Sequence, residues 1–375
     1  MIEGHGDDAG RYNTPIRADF SSNVWYGGLD PGLQTHLQEK IATVTHYPDA
    51  GAEGLQQVIA AACGLTPDQV LVTNGATEAI YLVAQAFRGR KAIVFTPSFA
   101  EYEDACRMHG LDIQRLPWEH LQSPSSSATL ASANIVPSAS FPTIAPSVPA
   151  NAAAPALSSA GLAFICNPNN PTGAALPLAE VRQLLDDHPH CCFVIDESYI
   201  EFTRATTSLL PFLSVHPNAI VLRSLTKSCC IPGLRIGYAV AASPLIRAIR
   251  QGKMPWSVNR LAIEAGQYIF RHKDRFQLPL TRLLEETTAW QRQLQAATGW
   301  QIMPTATHYF IVETKGSIRA ADLKADLIAQ HGLLIRDAAN FPGLTPGHFR
   351  VACQHPAHNR LLTDALQQCT HTGRS

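Results

Sequence analysis

Leu222-Arg223-Ser224-Leu225-Thr226-Lys227, continued after four residues by Pro232-Gly233-Leu234-Arg235-Ile236-Gly237, is the stretch on which the reading of this chain turns. Lys227 precedes Arg235 by eight residues and follows Ser224 by three. That spacing gathers an amine, a hydroxyl and a guanidinium around one small anion, with the hydroxyl and guanidinium as fixed donors. Lysines and arginines after strands are common, so the weight of the pattern depends on what lies upstream.

Thr73-Asn74-Gly75-Ala76-Thr77-Glu78 follows an apolar run and opens a helical pattern. Gly75 permits a tight turn that would aim the amides of Ala76 and Thr77 outward at a helix N-terminus, a ready site for phosphate. An ordinary turn capped by Thr77 has the same composition. Next, Thr96-Pro97-Ser98-Phe99-Ala100-Glu101-Tyr102 brings Phe99 to a strand end, suited either to stacking on a flat ring or to a core. Asn167-Pro168-Asn169-Asn170-Pro171-Thr172-Gly173 has two X-Pro turns, a rigidity that fits a loop holding a ligand. Finally, Ile195-Asp196-Glu197-Ser198-Tyr199 ends a strand in a carboxylate with a phenol three residues on. A carboxylate buried there needs a partner, either a structural cation or a protonated ring nitrogen.

Short apolar runs alternate with amphipathic stretches from about residue 54 to 240. Strands are expected at Gln69–Thr73, Ala92–Thr96, Leu162–Cys166, Cys191–Ile195, Ala219–Arg223 and Ile236–Val240, with a helix through Leu178–Leu185. The alternation predicts an α/β fold with a largely parallel sheet flanked by helices, whose ligands bind beyond the carboxyl ends of the strands. Residues 47–255 form the expected large domain, interrupted at about 122–160 by a Ser/Ala/Pro-rich stretch that reads as an irregular surface insertion. Residues 1–46 and 256–375 form an N-terminal arm and a smaller α+β domain, with a long helix through Leu280–Leu294 and short strands near Thr307–Glu313 and Phe349–Ala352.

With 375 residues, 46% hydrophobic and 16% charged, the chain suits two lobes around a cleft. A net charge of −1 without a basic block points away from nucleic acid and anionic membranes. The polar start and the lack of a long apolar run predict a soluble, cytoplasmic protein. The nine cysteines show neither C-x-x-C nor zinc spacing, so no metal is expected. They read as small apolar packing residues, with Cys229 and Cys230 close enough to Lys227 for reactivity to be considered.

The order turn, aromatic, asparagine, aspartate, lysine, arginine resembles the fold-type I enzymes dependent on pyridoxal 5'-phosphate (PLP), the aspartate aminotransferase superfamily. The resemblance covers nearly the whole chain outside the insertion. It implies that Lys227 joins the cofactor and later moves protons, that Asp196 pairs with the pyridine nitrogen, and that Asn170 and Tyr199 bond the ring oxygen. Phe99 would stack on the ring, and Gly75, Ala76, Thr77, Ser224 and Arg235 would hold the phosphate. It also implies a homodimer in which Tyr47, within His46-Tyr47-Pro48-Asp49, reaches the neighbouring subunit's cofactor phosphate.

Within the superfamily the chain is most similar to threonine-phosphate decarboxylases of cobalamin biosynthesis. The segments carrying the likeness are His5-Gly6, Asp19-Phe20-Ser21-Ser22-Asn23, Phe99-Ala100-Glu101-Tyr102, Leu222-Arg223-Ser224-Leu225-Thr226-Lys227, Ile231-Pro232-Gly233-Leu234-Arg235, Met254-Pro255-Trp256-Ser257-Val258-Asn259, Leu334-Ile335-Arg336, Ala339-Asn340-Phe341-Pro342-Gly343-Leu344 and Phe349-Arg350-Val351-Ala352. Histidinol-phosphate aminotransferases share the plan. Either family implies a substrate bearing an amine and a phosphate. Arg350 would grip its carboxylate, with Arg336 and His5 at the phosphate and Asn23 also in the substrate site. Salt bridges for the arginines and a free terminal histidine remain the plain alternatives. Two positions depart from the decarboxylase pattern: Tyr199 stands where some members carry phenylalanine, and Cys353-Gln354 follows where a second arginine is expected. Decarboxylation and transamination both remain open, while a regulatory role would call for an added DNA-binding domain.

Overall fold

A computed structural model describes residues 6–121, 153–316 and 318–372. Its main sheet contains β2 (Val70–Thr73), β3 (Lys91–Thr96), β4 (Asp112–Pro117), β5 (Leu162–Cys166), β6 (Cys192–Asp196), β7 (Ala219–Ser224) and β8 (Gly237–Ala241), preceded in the chain by the two-residue β1 (Ala18–Asp19). The strand order is β2-β8-β7-β6-β5-β3-β4. Neighbours from β7 through β4 run parallel. Strands β5, β6 and β8 are buried along their full lengths, as expected of a sheet covered on both faces.

β8, read from the sequence as one more strand of the set, is antiparallel to both its neighbours. Its amino end therefore lies at the carboxyl edge of the others. The pairing sets Gly237 opposite Thr73 on one side and Ser224 on the other. Three chain segments that carry the proposed anion ligands thus meet at one sheet edge. Gly237 is required there: a Cβ on it would stand 2.7 Å from both the Ala76 nitrogen and the Arg223 carbonyl oxygen.

Apolar residues on the two faces form separate cores. One includes Val72, Phe95, Ile165, Phe193, Ile195 and Val240, the other Leu71, Ile80, Val94, Phe164 and Leu222. Helices Pro31–Lys40 and Arg260–Arg271, expected with the smaller domain, contribute Leu33, Ala262, Ile263, Ala265 and Ile269 to the first of these cores. Of the expected insertion, residues 122–152 lie outside the described residues. Its end is not irregular: Ala154–Ser159 is helical, begins with a proline in its first turn, and buries Ala156 and Leu157.

The smaller sheet has the order β12-β13-β10-β9, where β9 is Gln301–Ile302, β10 Tyr309–Glu313, β12 Arg336–Asp337 and β13 His348–Ala352. Helix Leu280–Thr298 supplies Trp290 to its core, edge-on to Phe310 at 5.1 Å. The N-terminal arm joins this layer through β1, which pairs in parallel with β11 (Leu333–Leu334), and through Phe20, whose N–H donates to the Leu334 carbonyl. Among the described residues no helix is long and apolar enough to cross a membrane.

Gly237→Ala forces backbone to move on both sides, so it is expected to lower the unfolding free energy by about 1–3 kcal/mol. Denaturant unfolding of the variant against the parent chain checks this.

Candidate active site

The helix Gly75–Ala86 begins one residue beyond β2, and its preceding residue, Asn74, makes no side-chain cap. Thr77 does not cap it either, so the first amides remain available to a ligand. Gly75 has φ +71°, and a Cβ on it would lie 2.5 Å from Nη2 of Arg235. The guanidinium is therefore packed directly against the turn. The Ser224 and Thr226 hydroxyls meet at 2.7 Å on the next strand end. Thr226 went unnoticed in the sequence, although it directly precedes Lys227. Ser98 lies buried after β3, its Oγ without a partner among the described residues.

Asp196 closes β6, opposite Cys166 of β5 and Leu222 of β7. Its carboxylate is buried and takes part in no ion pair among the described residues. All its observed donors are neutral. The Ser198 hydroxyl and N–H donate to Oδ1 at 2.6 and 2.9 Å, and the Tyr102 hydroxyl donates to Oδ2 at 2.7 Å. Burial raises the carboxyl pKa while these bonds oppose the rise. Neither Ser198 nor Tyr102 was singled out in the sequence. An Asp-x-Ser turn and the three-residue step from Phe99 to Tyr102 were the available signals.

Asn170 is buried above β5, its N–H on the Cys166 sulfur at 3.4 Å and its Oδ1 accepting from Nη1 of Arg350. Tyr199 is buried against Tyr309, and its hydroxyl accepts from Nδ2 of Asn23 at 3.4 Å. Burial pushes the Tyr199 phenol up to about 12. Asn23 Oδ1 and Arg350 Nε are both buried without partners among the described residues. Phe99, half-buried, sits edge-on to Tyr102. Tyr47 is elsewhere: it is 83% exposed and packs against Trp256 at 5.3 Å. His5 lies outside the described residues.

Arg350 of β13 stands opposite Arg336 of β12 in register, which places both on one face. Arg336 donates to Oδ1 of Asn340 at 2.8 Å and lies over the Phe341 ring. Arg350 donates to Asn170 and to the Ser21 carbonyl. None of Lys227, Arg235, Arg336 and Arg350 belongs to an ion pair among the described residues. Burial depresses all four cations, and repulsion from neighbouring cations adds to it at Lys227 and Arg336. Lys227 falls to about 8 under burial, Arg350 and Arg235, and Arg336 falls to about 10 under burial and Arg350. His308, stacked on Phe202, is held neutral by burial, with its pKa near 3.

This set of groups matches PLP in charge and shape. An uncapped helix start with an unpaired arginine suits a phosphate, a buried carboxylate lacking a cation suits a protonated ring nitrogen, and a partly desolvated lysine suits a carbonyl. The model for aminotransferase class I and II matches residues 19–366. The chain belongs to that family. It is a PLP-dependent enzyme of the fold-type I aminotransferase architecture. Threonine-phosphate decarboxylase of Salmonella typhimurium is 31% identical over 93% of this chain and 90% of its own. The L-threonine-O-3-phosphate decarboxylase structure from Porphyromonas gingivalis superposes with a TM-score of 0.82 at 34% identity, covering 94% of this chain and 99% of that one. A histidinol-phosphate aminotransferase from Sinorhizobium meliloti, solved with pyridoxal-5'-phosphate, shares the fold at a TM-score of 0.78 and 19% identity, covering 95% and 91%.

The cysteines beside Lys227 are poor nucleophiles, since burial pushes Cys229 up to about 12 and Cys230 to about 11. Among the described residues no cluster of three or more His, Cys, Asp and Glu is placed to hold a metal.

Below about pH 8 the folded chain carries the Lys227 ammonium in a poorly hydrated site, a cost the unfolded chain, with the ordinary value of 10.5, avoids. The cofactor-free protein should therefore gain stability as pH rises from about 8 toward 10.5, and Lys227→Met should lack that component. Thermal denaturation of both proteins across this window tests it.

Proposed function

We propose that this enzyme decarboxylates O-phospho-L-threonine to (R)-1-aminopropan-2-yl phosphate, a step of cobalamin biosynthesis. The observation that carries the reading is the pair Arg336 and Arg350. These face one another outside the cofactor-phosphate cradle, buried and without a carboxylate partner among the described residues, so the site calls for anionic groups beyond those of the cofactor. A substrate with both a carboxylate and a phosphate supplies them. The decarboxylase relatives named above support the same choice.

In this reading Gly75, Ala76, Thr77, Ser224, Thr226 and Arg235 hold the cofactor phosphate, Phe99 covers the ring, and Asn170 and Tyr199 address its oxygen. Asp196 accepts from the ring nitrogen. PLP bound there supplies an electron sink for the bond broken at the substrate Cα. Lys227 would hold the cofactor, and its amine would move a proton at that carbon. Arg350 grips the substrate carboxylate in a bidentate fork, Arg336 and His5 take its phosphate, and Asn23 anchors Tyr199 beside it. The two arginines would fix the orientation of the substrate at Cα, and that orientation would favour carboxylate loss over proton loss. The exposed Tyr47 fits an assembly in which it completes a second copy's phosphate site, a homodimer in the cytoplasm.

Transamination between histidinol phosphate and 2-oxoglutarate is the second reading, favoured by a tyrosine at position 199.

Incubation with O-phospho-L-threonine is expected to release CO2 without forming a keto acid. No CO2, together with glutamate formation from histidinol phosphate and 2-oxoglutarate, overturns the assignment. Arg350→Lys should lower kcat/KM by about ten- to a hundredfold, the loss of a charge-assisted bond. Lys227→Ala should abolish the visible absorbance of the bound cofactor; an unchanged spectrum would remove Lys227 from its role.

A further inference from the structure

Tyr102 is fully buried on the first turn of the helix Glu101–Met108. Its ring stacks on Phe164 with centroids 5.1 Å apart and planes 16° from parallel. Phe99, three residues earlier, meets it edge-on at 5.8 Å, and the Tyr102 N–H donates to the Phe99 carbonyl. A ring packed in this way cannot swing, so its hydroxyl stays at Oδ2 of Asp196. Burial, reinforced by that carboxylate, holds the phenol far above its ordinary range, and it remains a proton donor.

An ionised carboxylate offers about four lone-pair sites, two on each oxygen. On Asp196 the Ser198 hydroxyl and N–H occupy Oδ1, while Tyr102 occupies one site of Oδ2. The site left open is on the oxygen that Tyr102 holds. The titratable groups around it are Cys166, directly across from Asp196 in the sheet, Tyr102 itself and Tyr199. None of these is a cation. Donation from neutral groups is therefore what opposes the rise that burial gives the carboxyl pKa.

We propose that Tyr102, seconded by Ser198, is a positioning residue that keeps Asp196 oriented and weakly basic, so that the proton the two share rests on the PLP ring nitrogen rather than on the carboxylate. The inference rests on the reading of Asp196 as the ring-nitrogen partner. Donors to a carboxylate stabilise its charged form, and each one removed shifts the proton toward the carboxylate. The same side chain touches Phe99, so ring stacking and ring protonation share one support.

The test is 15N NMR of holoenzyme reconstituted with PLP labelled at the ring nitrogen. In the parent enzyme the resonance should lie at the protonated-pyridine position. Tyr102→Phe, which keeps the buried ring and removes only the hydroxyl, should move it toward neutral pyridine, corresponding to about a tenfold change in the proton partition. Ser198→Ala should move it in the same direction and less far, because the Ser198 N–H remains. Asp196→Asn is the control for the underlying reading: an unmoved resonance there overturns Asp196 as the ring partner. If Asp196→Asn moves the resonance while folded Tyr102→Phe leaves it in place, the role of Tyr102 is overturned. Should Tyr102→Phe fail to fold, as judged by calorimetry, an unmoved resonance in Ser198→Ala overturns it instead.

Discussion

The close approach of Gly237 to its neighbours is the constraint on which the site depends. Because β8 runs against the other strands, the chain that leaves Lys227 returns to the same sheet edge within ten residues and enters between Thr73 and Ser224. A side chain at 237 would separate those strand ends. Without one, the uncapped helix start at Gly75, the hydroxyls of Ser224 and Thr226 and the guanidinium of Arg235 converge on one small volume. Backbone register does the assembling, and the side chains need little freedom to complete it.

Electrostatics then divides this site into regions of opposite need. Asp196 is buried among neutral donors, and four cations lie near one another without ion-pair partners among the described residues. Each arrangement is unfavourable in the protein alone, since buried charge is stabilised mainly by a partner. The two imbalances are complementary to a ligand set that brings one cationic ring nitrogen and several anionic oxygens. Stability that the protein alone forgoes is thereby available to binding, in keeping with strain concentrated at functional sites.

Much of this was legible in the chain. Strands β5, β6 and β7 appear in the sequence as runs of uninterrupted apolar residues because both faces of the sheet are covered. Each motif was readable because it follows such a run. β4 was missed for the converse reason: it is an edge strand, half of its residues exposed, and Asp112-Ile113-Gln114-Arg115-Leu116-Pro117 carries no apolar run. Ala154–Ser159 looked irregular because its composition continues that of the preceding stretch, while its helicity depends on burying Ala156 and Leu157. Tyr102 was treated as part of a motif around Phe99. Its contact with Asp196, 94 residues away, has no local signature.

The sequence by itself determined the class of chemistry. The residue types and their order after successive strands define an amine, a carboxylate, an aromatic face and an anion cradle, and those depend on local turn and strand patterns. Only the tertiary structure decided which of them touch. Arg350 reaching Asn170, Arg336 opposite Arg350, Tyr102 on Asp196 and the reversal of β8 all arise from strand pairing and packing between segments far apart in the chain. Hydrophobic periodicity specifies which face of an element is buried. It does not specify what lies on the other side.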